Sequence, residues 1–352
     1  MTIRSIQKRG AQTLFALLLL GGLAYPLLAQ NVSLLEPTGE VHEVRLPTAG
    51  LGPTTLAVAP DGKLWFTLSA GNAIGRLDAD GGNYVQFDLP QPDSSPRIIA
   101  LGSDGNMWFS QHEGNRIGRI SPEGAIREWQ LPTPDSQPRA IALGSDGNIW
   151  VGQFAVSRIA RVTPQGEITE FVIPTPDSGP RALAAGADGN IWFSEFKSSK
   201  IGRITPQGEI VEFPLPQADS GPGDITAGAD GAMWFLQLSG TMDGLRVNGN
   251  RIGRIGMDGE ISEYPLPDVE GSPINIAVGP DRNIWYTRNA TLGQVKADGS
   301  VREYSVAAGS ARAVGLSAGS DRQPPERLLE RLWFTDPLND RIAWMQFTPS
   351  LE

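Results

Sequence analysis

Gly179-Pro-Arg-Ala-Leu-Ala-Ala-Gly-Ala-Asp-Gly-Asn-Ile-Trp-Phe-Ser-Glu195, followed by Lys200-Ile-Gly-Arg-Ile-Thr-Pro-Gln-Gly-Glu-Ile-Val-Glu-Phe-Pro-Leu-Pro216, is the stretch that decides the fold. It parses into four short strands over 182–185, 191–194, 200–204 and 210–213. Asp188-Gly189-Asn190 and Pro206-Gln207-Gly208 stand between strands as hairpin turns, where glycine reaches positive φ without a Cβ clash. Pro214 cannot donate to a ladder, which suits an outer edge strand.

Working outward, the same unit returns around Trp65, Trp108, Trp150, Trp192, Trp234, Trp285 and Trp333. Four antiparallel strands per repeat of about 42 residues indicate a β-propeller; an open solenoid would need shorter periods. The expected fold is therefore all-β: a seven-bladed propeller of four-stranded antiparallel blades over residues 40–352. The last copy runs out of chain before a fourth strand. Glu40-Val-His-Glu-Val-Arg-Leu-Pro47 matches Glu167-Ile-Thr-Glu-Phe-Val-Ile-Pro174, so the N-terminal strand is expected to close the seventh blade. In Ile201-Gly202-Arg203-Ile204 the glycine reads as room for the next sheet, and the Asp-Gly pairs read as turns rather than metal sites.

Composition bounds the chemistry. Glycine (42) and proline (28) make up one residue in five of the 352, which fits many tight turns. With 29 basic against 39 acidic residues the formal charge is −10, the wrong sign for a nucleic-acid partner. The absence of cysteine excludes disulfides, thiol catalysis and zinc-thiolate sites. Residues 1–30 carry Arg4, Lys8 and Arg9 and then an apolar run from Leu14 to Leu28, the pattern of a signal peptide cleaved after Ala24 or Ala29. That reading implies a periplasmic or secreted protein with no membrane span after processing. An uncleaved anchor is the alternative. A monomer is expected.

Propeller geometry puts the start of strand 1 and the end of strand 2 on one face, around the axis. At the first position the copies read Thr54, Arg97, Arg139, Arg181, Gly223, Ile274 and Arg312. At the second they read Leu68, Gln111, Gln153, Glu195, Gln237, Arg288 and Asp336. Arg97, Arg139, Arg181, Arg312, Gln111, Gln153, Gln237 and Arg288 are thus candidates for binding a small-molecule or peptide ligand through an anionic group. The competing reading pairs each arginine with a loop aspartate, Asp93, Asp135 or Asp177. His112, Glu195 and Asp336 are the catalytic candidates, His112 being the imidazole on that face and His42 lying in the closing strand. A longer fifth repeat places a loop around 239–250 on the same face, and the seventh carries a charged insertion around 323–330.

The wording Trp-Phe-Ser-Glu … Lys-Ile-Gly-Arg-Ile-Thr-Pro-Gln-Gly-Glu-Ile-Val-Glu-Phe-Pro-Leu-Pro, with Pro-Thr-Pro-Asp-Ser-Gly-Pro before the next strand 1, resembles the virginiamycin B lyase (streptogramin lyase) family over about residues 40–350. The resemblance implies elimination-type ring opening of a cyclic depsipeptide ester, with magnesium. The family's Pro-His pairs at the start of strand 1 in blades six and seven read Pro273-Ile274 and Ala311-Arg312 here. Asp336 and Asp340 lie near the position of a further family glutamate. The alternative is a non-catalytic binding propeller for an anionic ligand, cell-wall fragment or partner peptide.

Overall fold

The computed structural model describes residues 35–242, 244–267, 271–296, 298–306, 312–321 and 329–349, all within the unit Leu34–Glu352. The leader read over 1–30 and most of the insertion around 323–330 lie outside the described residues. The described chain forms seven four-stranded antiparallel sheets in a ring, a seven-bladed β-propeller. Blade 4 sets the pattern with Pro180–Ala185 innermost, then Ile191–Glu195, Lys200–Ile204 and Ile210–Pro214. The strands run a residue or two beyond the sequence boundaries, Pro180 and Pro214 each serving as a terminal ladder position.

The ring closes as expected. Leu35–Arg45 is the outermost strand of blade 7, pairing with Arg341–Pro349, which pairs in turn with Leu329–Asp336. His42 sits opposite Trp344 and stacks on it at 5.2 Å, a surface role.

In blades 1 to 4 and 6 the second strand is buried along its whole length. Trp192 stacks on Phe213 at 5.4 Å, and Arg203 lies over both rings. The indole Nε1 donates to Asp188 Oδ1 at 3.1 Å, so the turn aspartate anchors the blade tryptophan. Asp104, Asp146, Asp230 and Asp281 accept from Trp108, Trp150, Trp234 and Trp285 in the same way.

The strand-3 glycine has a different reason from the one the sequence suggested. A Cβ on Gly202 would lie 2.1 Å from the Phe193 ring of its own blade. In blade 3 the glycine becomes Ala160, and the opposing aromatic shrinks to Val151. Close approach between blades instead depends on the strand 3–4 turn: Gly208, at φ +95°, would put a Cβ 2.1 Å from Phe171 of the preceding blade.

Candidate functional site

A bulge aims the arginines. In blade 4 Pro180 pairs with Glu195 and Leu183 with Phe193, so three steps on the inner strand face two on its neighbour. The extra residue falls at Arg181-Ala182, and the equivalent irregularity falls at Arg97 and Arg139. A bulge re-aims a side chain and frees a backbone N–H from the ladder. Here a hydroxyl accepts it: Ala182 N donates to Ser194 Oγ at 3.1 Å, and Ile98 N to Ser110 Oγ at 3.1 Å. Thr67, Thr287 and Thr335 do the same for Thr55, Asn275 and Gly315. Sequence reasoning missed these residues; the recurring Ser or Thr after Trp-Phe or Trp-Tyr was the available signal.

Arg97, Arg139 and Arg181 therefore form an arc from three consecutive blades, at the mouth of the propeller axis. Each associates with the residue just past strand 2 of its own blade. Arg139 lies over Phe154 at 4.8 Å and Arg181 over Phe196 at 5.0 Å. Lys197 also sits over Phe154, at 5.1 Å, while forming an ion pair with Asp177 at 2.7 Å. The Asp177 loop is thus engaged by a lysine that the sequence reading had not considered.

His112 stands at the corresponding place in blade 2. It is 9% exposed, with Nδ1 unpartnered and Nε2 3.6 Å from the exposed Glu113. Burial, then the positive charges of Arg97 and Arg139, push its pKa down to about 4 against the opposing pull of Glu113 and the Pro138 carbonyl. The imidazole is neutral at ordinary pH. Asp224, which the sequence reading passed over, takes the place of the alanine that follows the arginine in blades 3 and 4. Its Oδ2 accepts from Ile276 N of the next blade at 3.0 Å. Burial raises its pKa to about 6, partly offset by the Ile276 and Ile225 amides and by Arg181.

The row at the end of strand 2 points elsewhere. Gln111, Gln153 and Gln237 are fully buried, and their amides donate to the fourth-strand carboxylates Glu128, Glu170 and Glu263 at 2.7, 2.8 and 2.6 Å. Arg288 is 1% exposed and donates to Pro267 O and Asn250 Oδ1 at 3.0 and 2.7 Å. These four candidates stabilise blades and do not line an open cavity. The reason is directional: from the last position of strand 2 the side chain crosses strand 3 toward strand 4, away from the axis.

Glu195 and Asp336 share that direction. Glu195 faces Glu212 and accepts from Ser198 Oγ at 2.8 Å; burial foremost, with Glu212 adding to it, raises its pKa to about 7. Asp336 is 1% exposed, ion-paired with Arg341, and accepts from Asn339 Nδ2 at 2.8 Å. Of the three catalytic candidates, His112 alone sits with the arginine arc. Arg312 is exposed in blade 7, its N–H reaching Asp336 Oδ1 at 3.3 Å.

The fifth-repeat insertion is a hairpin rather than a loop, Met233–Met242 pairing with Leu245–Ile255. Its Val247 is buried with Phe154, Phe196 and Leu238, adding an apolar wall beside the arginine arc. The residues present do not fit a resident magnesium ion. Among the described residues no three His, Asp or Glu side chains converge, and Asp224 and Asp336 are already held by backbone amides or by Arg341.

The profile of the Virginiamycin B lyase family matches residues 27–245 and 173–351. Selenomethionine-substituted virginiamycin B lyase from Staphylococcus aureus is 33% identical over 87% of this chain and 99% of its own, with a TM-score of 0.79. A catalytically inactive histidine-to-alanine variant of the S. aureus lyase, solved with quinupristin, is 32% identical over 87% of this chain and 99% of its own, TM-score 0.78. The extracellular domain of a one-component system from B. thetaiotaomicron shares the fold at 13% identity, covering 90% of this chain and 43% of its own, TM-score 0.66. No curated protein matches the chain.

Proposed function

Because the chain belongs to the virginiamycin B lyase family, we propose that it is a lyase-like propeller that uses its axial mouth to bind a peptide-like ligand through a carboxylate, without the ring opening of its relatives. The observation that carries this is the arc Arg97, Arg139 and Arg181 beside Phe154 and Phe196, where Ile274 and Arg312 stand in place of the family's Pro-His pairs. Guanidinium forks recognise a carboxylate by paired N–H donors, and the buried Phe154 and Phe196, packed with Val247, hold Arg139 and Arg181 in place from beneath. The N-terminal pattern Arg4, Lys8, Arg9 and Leu14–Leu28 supports export as part of this reading.

A second reading keeps the elimination chemistry with a rearranged site, favoured by family membership and by an imidazole at the mouth. In that scheme His112 takes the proton beside the ester carbonyl, the carbon–oxygen bond breaks to leave a double bond, and the leaving oxygen gains a proton. The low pKa of His112 makes it a weak base, and Glu195 and Asp336 are committed to Glu212 and Arg341. Among the described residues the mouth gathers no set of three carboxylate or imidazole ligands for magnesium.

One experiment separates the two. Purified protein is incubated with a type B streptogramin, with magnesium and then with EDTA, and products are resolved by chromatography and mass spectrometry. No linear product is expected. Calorimetry with short peptides should show binding of the free carboxylate over the C-terminal amide, weakened about tenfold or more by Arg181→Ala. A linearised product of unchanged mass would overturn the binding reading and make His112→Ala the next variant.

A further inference from the structure

One inter-blade cleft occurs twice with different linings, on the Asp-Gly face opposite the arginine arc. Between blades 1 and 2 it is a cavity of about 220 Å³ lined by Asp61, Trp65, Gly105, Met107 and Pro122. Between blades 5 and 6 the counterpart is about 400 Å³, lined by Asp230, Trp234, Arg254, Tyr264, Arg282 and Lys296. By repeat position, Gly105 is replaced by Arg282 and Ser121, beside Pro122, by Lys296.

In blades 1 to 4 the strand-3 arginine bridges to the next blade. Arg76 donates to Pro122 O at 2.7 Å, Arg119 to Pro164 O at 2.9 Å, Arg161 to Pro206 O at 2.7 Å and Arg203 to Met257 O at 3.1 Å. Arg254 donates Nε to Asp230 Oδ2 of its own blade at 2.8 Å.

Arg282 departs from the repeat. It occupies the turn position filled by Gly62, Gly105, Gly147, Gly189 and Gly231 elsewhere, and it keeps their left-handed backbone at φ +65°. The other described non-glycine residues with positive φ are Asn, Asp, Ser and Gln, so Arg282 is the one cation among them. Glycine makes this turn without strain, so the turn itself does not require the arginine. Among the described residues its side chain has no ion pair or hydrogen bond. Arg254, Arg282 and Lys296 thus gather three positive charges against Asp230, in a chain whose formal charge is −10. Trp234 and Tyr264, stacked on each other at 5.6 Å, contribute part of the cleft lining.

We propose that this cleft is a second binding site, taking an oxyanion carried on a planar apolar body. The oxyanion meets Arg282 and Lys296, and the planar body lies against Trp234 and Tyr264. Nothing in this proposal depends on the axial mouth.

Phenyl phosphate, benzoate and inorganic phosphate serve as probes, titrated by calorimetry into the full chain at low salt. Phenyl phosphate or benzoate should bind about tenfold tighter than inorganic phosphate. Arg282→Gly, which restores the residue of the other blades, and Lys296→Ser, which restores that of blade 2, should each weaken binding by about tenfold. Arg282→Gly should leave the melting temperature equal to or above that of the wild type, separating lost binding from lost folding. Absence of saturable binding at millimolar probe, affinity for inorganic phosphate equal to that for the aromatic probes, or unchanged affinity in Arg282→Gly would each overturn the proposal.

Discussion

Glu195 occupies the place from which Gln111, Gln153 and Gln237 donate an amide hydrogen to a fourth-strand glutamate. A carboxyl group can imitate that amide only when protonated. Burial, with Glu212 beside it, therefore raises the Glu195 pKa to about 7. Glu212 keeps its charge: burial opposes this, but Thr175 and Lys200 outweigh it and hold its pKa low. An acid with a raised native pKa holds its proton more tightly when folded, so its contribution is full at low pH. That contribution is lost as pH climbs from the unfolded value near 4.5 through about 7. Glu195→Gln should remove this loss and stabilise the protein above pH 7 by on the order of 2 kcal/mol, measured by urea unfolding at pH 6 and pH 8.5. Equal stability of variant and wild type at pH 8.5 would argue against a shared proton. His112 offers a second test at this scale. Its imidazole should titrate near 4 by NMR, and Arg97→Ala should move the midpoint upward, because burial and then Arg97 are the main depressing influences.

At the scale of the element, the pairing of Gly202 with Phe193 shows how one strand makes room for its neighbour. Gly202→Ala would drive a Cβ into a buried ring and should cost about 1–3 kcal/mol. Adding Phe193→Val, the Ala160–Val151 combination of blade 3, should recover part of that loss, and a double-mutant cycle in chemical denaturant measures the coupling. Strand existence and order were legible from the period of Trp and turn residues. Side-chain direction at strand ends was not: the start of strand 1 and the end of strand 2 share a face of the ring. A bulge turns Arg97, Arg139 and Arg181 toward the axis, while the regular ladder turns Gln111, Gln153, Gln237 and Arg288 into the blade. The longer fifth repeat likewise gave its position but not its form, since hairpin pairing between 239–242 and 245–248 follows from register rather than length.

For the whole molecule, closure by Leu35–Arg45 joins the first and last described strands in one sheet. Removing this strand would expose the edge of Arg341–Pro349 and leave Arg341 without Glu43 and Trp344 without His42. A chain starting at Leu46 should lose its single cooperative melting transition or melt far lower, and should self-associate through the open edge. Calorimetry with light scattering would show it, and unchanged cooperative melting would mean that the ring holds without its closing strand. Among the described residues no helix is long and apolar enough to cross a membrane.

The sequence alone determined the seven repeats, the four strands in each and the closing strand, because each depends on local periodicity repeated along the chain, while the wording of the repeat carried the resemblance to the family. It also named the arginine arc, since those residues vary at a fixed repeat position. The tertiary structure decided which candidates share a space. Burial and hydrogen-bond direction committed Glu195, Asp336 and the strand-2 amides to the blade interiors, kept His112 beside the arginines, and brought Asp224 to the same mouth. It also gathered Arg254, Arg282 and Lys296 at the cleft between blades 5 and 6. Such outcomes depend on contacts between residues tens of positions apart and on a single bulged residue in the inner strands of blades 1 to 5, neither of which a repeat pattern encodes.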